Sequence, residues 1–332
     1  MKAAVKILVI RFSSIGDIVL TSPVVRCLKK QLDAEVHFVT KKKYAGICES
    51  NPYIDKVIAF ESDLNNVIED LKKENYDYII DLHHNLRSIR LSKGLGKKTF
   101  RFHKLNIQKW LFVHFKINQM PPLHIVDRYM ETVLPLGVVN DGKGLDFFIP
   151  QKDEVSIAEL PARFSKPYLA VVCGATYYTK NIPEEKIVAI GNDISMPVLL
   201  LGGPDDKEKG DRIVGMLGDK AFNVCGKYTL NQSASLIRQS QLVLSPDTGL
   251  MHIAAALGKP IVSLWGSTVP EFGMYPYFGK KAENIKSYIM EVKGLSCRPC
   301  SKLGYSKCPK GHFKCMKMQD EKLISEFLER NF

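Results

Sequence analysis

Short apolar runs recur along this chain, and between them apolar residues return at intervals of three and four positions. The first run, Lys6-Ile-Leu-Val-Ile10, is followed by a polar glycine turn. A pattern from Asp17 to about Leu32 then sets Val19, Leu20, Val24 and Leu28 on one face. That order predicts strand, turn and amphipathic helix. Val36–Thr40, Lys56–Phe60 and Tyr78–Leu82 read as further strands, with a helix over Leu64–Lys73. Pro150–Pro167 is polar and carries three prolines, which marks a connection. Beyond it the pattern restarts. Tyr168–Cys173, Pro197–Leu201, Leu242–Ser245 and Ile261–Trp265 are strands, and Glu184–Gly191, Leu230–Gln239 and Leu250–Leu257 are helices. Buried strands alternating with helices predict parallel sheets covered on both faces. The expected architecture is α/β: two Rossmann-like domains, 1–160 and 161–332, the second ending in a Cys-rich tail.

Composition agrees with this picture. With 332 residues, 45% hydrophobic and 25% charged, the chain has the balance of a folded protein and room for two cores. No apolar run approaches the roughly 18–20 residues of a membrane-spanning helix. Ile7–Ile10 is too brief for the core of a signal peptide, so a cytoplasmic protein is expected. Charge is the unusual property: the net value is +12, which asks for an anionic partner. Between Asp81 and Asp127 no acidic residue occurs, while nine Lys and Arg residues do, interleaved with Phe100, Phe102, Trp110, Phe112 and Phe115. A nucleic-acid groove has this composition, and so does a surface that settles on anionic lipid.

Several turns at the carboxyl ends of strands, where open parallel sheets bind ligands, carry candidate chemistry. Arg11-Phe-Ser-Ser-Ile-Gly-Asp17 lacks the spacing of a dinucleotide fingerprint or a phosphate-binding P-loop. Asp17 there is either a helix cap or a reactive carboxylate. In Ser245-Pro-Asp-Thr-Gly-Leu-Met-His252, the amides of Thr248, Gly249 and Leu250 at a helix N-terminus suit a diphosphate, against the plainer reading of a capped helix. His252 is either a ligand contact or a packing residue. Thr176 and Lys180 lie on the loop after the first strand of the second half, where a lysine can neutralise phosphate. Gly202-Gly-Pro-Asp-Asp206 closes another strand with carboxylates that can meet ribose hydroxyls or simply form a turn.

Together these segments resemble glycosyltransferase family 9, the ADP-heptose:lipopolysaccharide heptosyltransferases. The matching residues are Ser13-Ser-Ile-Gly-Asp17, Asp81-Leu-His-His-Asn-Leu-Arg-Ser88, Thr176 with Lys180 and Pro183, and Asp247-Thr-Gly-Leu-Met-His252 followed by Ala254, Ala255 and Pro260. The resemblance implies a GT-B fold, two Rossmann-like domains facing a central cleft, with the acceptor bound by the N-terminal domain and the nucleotide sugar by the C-terminal one. It assigns Asp17 the role of general base and Lys180 a place on the donor phosphates. Thr176, Asp205, Asp247, Thr248, Gly249, Leu250 and His252 become donor contacts. Arg11, Ser13, Ser14, Asn85 and Arg87 become acceptor contacts. It further implies an inverting, metal-independent transfer of heptose from ADP-heptose to a lipopolysaccharide inner-core acceptor. The expected partners are that donor, an anionic glycolipid and the inner-membrane surface, with peripheral attachment, no cofactor and no nucleic acid. Ile182 stands where heptosyltransferases often have Trp, which keeps a family member using another nucleotide sugar as the nearest alternative. A basic protein that binds nucleic acid or a membrane surface is the alternative of another class. Cys297-x2-Cys300-x7-Cys308-x6-Cys315, with His312 among them, has the ligand count of a zinc site without the paired spacing of a zinc ribbon; free thiols are the expectation.

Overall fold

The computed structural model describes residues 5–331 and divides into two compact units. One holds the chain up to Lys104 together with Leu123–Phe148; the other holds Leu105–Pro122 and everything from Ile149 onward. The division falls near the proline-rich connection but is not a single cut. Residues 105–122, with Lys109, Lys116, Trp110 and Phe115 of the basic aromatic stretch, belong to the second unit. Their anchor is Phe112, which packs with Val269 and Phe272. Local sequence pattern carries no trace of a contact that distant.

In the first unit the strands are β1 (Lys6–Ile10), β2 (Glu35–Lys41), β3 (Lys56–Phe60), β4 (Tyr78–Asp81) and β5 (Lys98–Arg101). All pair in parallel, in the order β3-β2-β1-β4-β5. β1 is buried from Ile7 to Ile10, as a central strand covered on both faces requires. The helix expected from Asp17 to Leu32 is two, Ile15–Val19 and Ser22–Leu32, because Pro23 opens a new first turn. Arg26 on the second is buried and forms an ion pair with Asp141 at 2.7 Å and another with Asp146, tying that helix to the segment that closes the unit.

The second unit contains β6 (Leu169–Val172), β7 (Val198–Leu201), β8 (Ala221–Asn223), β9 (Leu242–Pro246), β10 (Ile261–Trp265) and β11 (Ser287–Glu291). These six strands are again all parallel, in the order β11-β10-β9-β6-β7-β8. Its core includes Phe313, Cys315, Met316, Ile324 and Leu328 of the tail, which pack on the same cluster as Ile187 and Ile190. In each sheet the chain runs outward from one strand and returns to that strand's other side, so β1/β4 and β6/β9 are the topological switch points. Ligands of open parallel sheets collect there. No described helix is long and apolar enough to cross a membrane.

Candidate active site

At the switch point of the first sheet, Arg11 and Asp17 meet. Asp17 is the third residue of the helix Ile15–Val19, with Ser14 as N-cap. Its Oδ2 accepts from the Ser14 amide at 3.1 Å and the Ser14 hydroxyl at 2.6 Å. Reaching back to the cap residue in this way satisfies a donor the helix start leaves open. The other oxygen, Oδ1, lies 2.5 Å from Arg11 Nη2. Asp17 is therefore not itself the cap, and its side chain keeps about 20% exposure.

Arg11 is buried and heavily engaged: it donates to the carbonyls of Leu82 at 2.5 Å and Ser13 at 2.8 Å and to the Tyr129 hydroxyl at 3.0 Å. Burial opposes its charge, and Asp17, with Tyr129 and Asp81, more than offsets that, so its proton affinity lies above the ordinary value. Arg11 holds Asp17. Sequence reasoning placed it as an acceptor contact and missed this. His83, beside Phe12, has its Nδ1 buried without a hydrogen-bond partner among the described residues. Burial first, then the Arg11 and Lys104 charges, pushes its imidazole down to about 3, so the ring is neutral. Asn85 caps the helix Leu86–Leu95, accepting from the Ser88 amide at 2.9 Å, and Arg87 is exposed on its first turn. Ser13 is half-buried in the turn.

The second unit brings Lys180 and Asp247 together. Lys180 comes from the loop after β6 and Asp247 from the end of β9, and Nζ lies 2.6 Å from Oδ2. Thr268, after β10, donates to the same oxygen at 2.8 Å. Next to this pair starts the helix Gly249–Ala256, whose N-cap Thr248 makes no side-chain cap. Thr248 Oγ1 is buried without a hydrogen-bond partner among the described residues. The first amides of a helix have no intrahelical acceptor, and the helix dipole is positive at that end. A lysine, an unspent hydroxyl and open amides at one switch point are groups that can receive an anion. His252 is buried on this helix.

Other expected contacts lie nearer the surface. Thr176 is exposed on its loop, while its neighbour Thr179 is buried. Thr179 Oγ1 donates to the Tyr305 carbonyl at 3.2 Å and accepts from the Tyr305 amide at 2.8 Å and Ser267 Oγ at 2.9 Å. It pins the Lys180 loop to the tail. Asp205 is exposed; the carboxylate turned inward is Asp206, which accepts from the Gly203 amide at 2.8 Å and is raised chiefly by burial. Gly174 makes room for it, since a Cβ there would stand 2.0 Å from Asp206 Oδ1. Ile182 is a core residue of the unit. None of the eight cysteines is in a disulfide, and the Cys297 sulfur lies 3.9 Å from His312 Nε2.

Several known proteins are similar to this chain. The family model described as glycosyltransferase family 9 (heptosyltransferase) matches residues 65–301. A relative from Campylobacter coli, lipopolysaccharide heptosyltransferase 1, is 25% identical over 292 residues, covering 79% of this chain and 84% of its own. Among solved structures, the glycosyl transferase family 9 protein from Veillonella parvula superposes with a TM-score of 0.79 at 23% identity over 100% of this chain and 98% of that one. The E. coli heptosyltransferase WaaC with ADP-2-deoxy-2-fluoro heptose does so with 0.70 at 20% identity, over 98% and 100%. At such identities the structural likeness establishes the fold.

Proposed function

We propose that this chain, which belongs to glycosyltransferase family 9, transfers heptose from ADP-heptose to an inner-core acceptor of lipopolysaccharide, with inversion and without a metal. It works as a cytoplasmic protein held at the inner-membrane surface. The observation that carries this reading is the Lys180–Asp247 pair beside the open start of the helix Gly249–Ala256. This arrangement suits a diphosphate ester, and the likeness to an ADP-sugar complex of a heptosyltransferase supports the choice of donor.

In this reaction the acceptor hydroxyl oxygen attacks the anomeric carbon as the bond to the diphosphate breaks. Asp17 takes the hydroxyl proton, and ADP leaves with the bonding electron pair. Attack from the face opposite the leaving group inverts the anomeric configuration. The transition state has oxocarbenium character, as in glycoside hydrolysis. Charge that develops on the leaving diphosphate is met by Lys180 and the amides of Thr248, Gly249 and Leu250, which are in place before the bond breaks. Arg11 and Ser14 fix the carboxylate, which keeps about 20% exposure. Asp17→Ala is expected to lower turnover by about 10²–10⁴, the usual scale for loss of a general base. ADP affinity should remain intact. A variant that keeps wild-type turnover removes Asp17 from the chemistry.

A further inference from the structure

The two longest stretches of the sequence free of acidic residues are 82–126 and 292–319. Parts of both meet in the second unit: the helix Asn106–Phe115 and the loop 301–305 line one groove of about 610 Å³. We propose that this helix and this loop form a docking surface for an anionic phospholipid bilayer. The inference deepens the proposed function, since it rests on the acceptor being lipid-anchored, and it names the surface that reaches the membrane.

The helix is held by one face only. Phe112 packs with Val269 and Phe272, and Lys116 Nζ donates to the Pro299 carbonyl at 2.7 Å. That leaves Ile107 72% exposed, Phe115 59% and Trp110 50%, with the Trp110 and Phe115 rings 5.2 Å apart. The loop is fixed as firmly. Ser301 Oγ accepts from the amides of Leu303 and Gly304 at 2.9 and 2.7 Å, and Thr179 holds Tyr305. A rigid turn thus displays Leu303 and Tyr305 to solvent. Lys109 and Lys302 line the groove, and the stretches that carry them contain no Asp or Glu.

Exposed aliphatic and aromatic tips among lysines are the composition of a surface that sinks its apolar groups to the acyl boundary while its ammonium groups meet headgroup phosphates. A base-stacking groove has no use for Ile107 and Leu303 in water, and the charge complements an anionic bilayer. Tyr177, which also lines the groove, lies on the loop that carries Lys180. A bilayer seated here brings the donor site to the plane in which a lipid-anchored sugar lies.

The chain contains two tryptophans, and Trp265 is 1% exposed and hydrogen-bonded to Ser263. A change in emission on adding vesicles therefore reports Trp110. With the full chain and phosphatidylethanolamine–phosphatidylglycerol vesicles, we expect a blue shift, quenching by brominated acyl chains, and binding that weakens with salt. The double variant Ile107→Ser/Phe115→Ser, both at exposed positions, should bind these vesicles about tenfold or more weakly. It should turn over a vesicle-embedded acceptor more slowly and a deacylated, water-soluble acceptor at the wild-type rate. No shift with vesicles, unchanged affinity in the double variant, or a shift produced by oligonucleotides in place of vesicles overturns the docking surface. Failure of the wild-type chain to use the deacylated acceptor would count against the proposed reaction instead, independently of the vesicle result.

Discussion

Lys180→Met tests the donor site through its charge balance. In the wild type the ammonium sits 2.6 Å from Asp247 Oδ2, and neither side chain is more than 16% exposed. Removing it has two consequences for a bound diphosphate: one attraction is lost, and the Asp247 charge, left with Thr268 as its donor, is unmasked. At an effective dielectric of about 20, a unit charge about 4–5 Å away is worth about 3–4 kcal/mol. Relaxation and counterions reduce this to about 2–3 kcal/mol, or about 30- to 150-fold in ADP affinity. Because part of the loss is repulsion by Asp247, adding Asp247→Asn to Lys180→Met should restore some of it. The double variant then binds ADP more tightly than Lys180→Met alone. Isothermal titration of ADP into the four proteins of the cycle measures this coupling directly. ADP binding by Lys180→Met within about twofold of wild type, or effects of the two substitutions that simply add, would refute the reasoning.

Two further outcomes follow from groups that the site holds in unusual states. The folded-state value of His83 is pushed down to about 3, against about 6.5 in an unfolded chain. Above that upper value both states are neutral. As pH falls through the window toward 3, the unfolded chain takes up a proton that the folded one refuses. Stability should then decline by up to about 1.4 kcal/mol per pH unit. Denaturant titrations across this window should show a shallower decline for His83→Gln, and an equal slope contradicts the assignment. Thr179→Val strips the Tyr305 amide and Ser267 hydroxyl of a buried partner, at about 1–3 kcal/mol for each group left unsatisfied. A lowered Tm and faster proteolysis at 301–305 are expected, while a Tm equal to wild type contradicts the role of Thr179 as the pin.

Strands buried on both faces were legible as unbroken apolar runs, and β1 and β10 match their sequence spans residue for residue; the edge strand β3 also matches, through the apolar run in Lys-Val-Ile-Ala-Phe. Strands without a strong apolar run were not. β5 is Lys-Thr-Phe-Arg, largely half-buried with a single apolar residue, and β11 is Ser-Tyr-Ile-Met-Glu, mostly exposed with only a three-residue apolar run. The helix Asn106–Phe115 showed only as basic and aromatic composition, because its place depends on Phe112 reaching Val269 and Phe272, far along the chain. Within the candidate site, the positions at strand ends could be read from motifs. What supports them could not. Arg11 and Ser14 serve Asp17, Asn85 serves a helix cap, and Thr179 binds a loop 126 positions away. Each is a polar residue whose use is set by a tertiary neighbour, and only the structure names that neighbour.

The most direct test of the proposed reaction is incubation of the purified chain with ADP-heptose and a heptose-free lipopolysaccharide acceptor, with the product followed by mass spectrometry and its new linkage by NMR. The account predicts addition of one heptose, release of ADP, and an anomeric configuration opposite to that of the donor. Transfer from a different nucleotide sugar only, or a heptose linked with retained configuration, would contradict it.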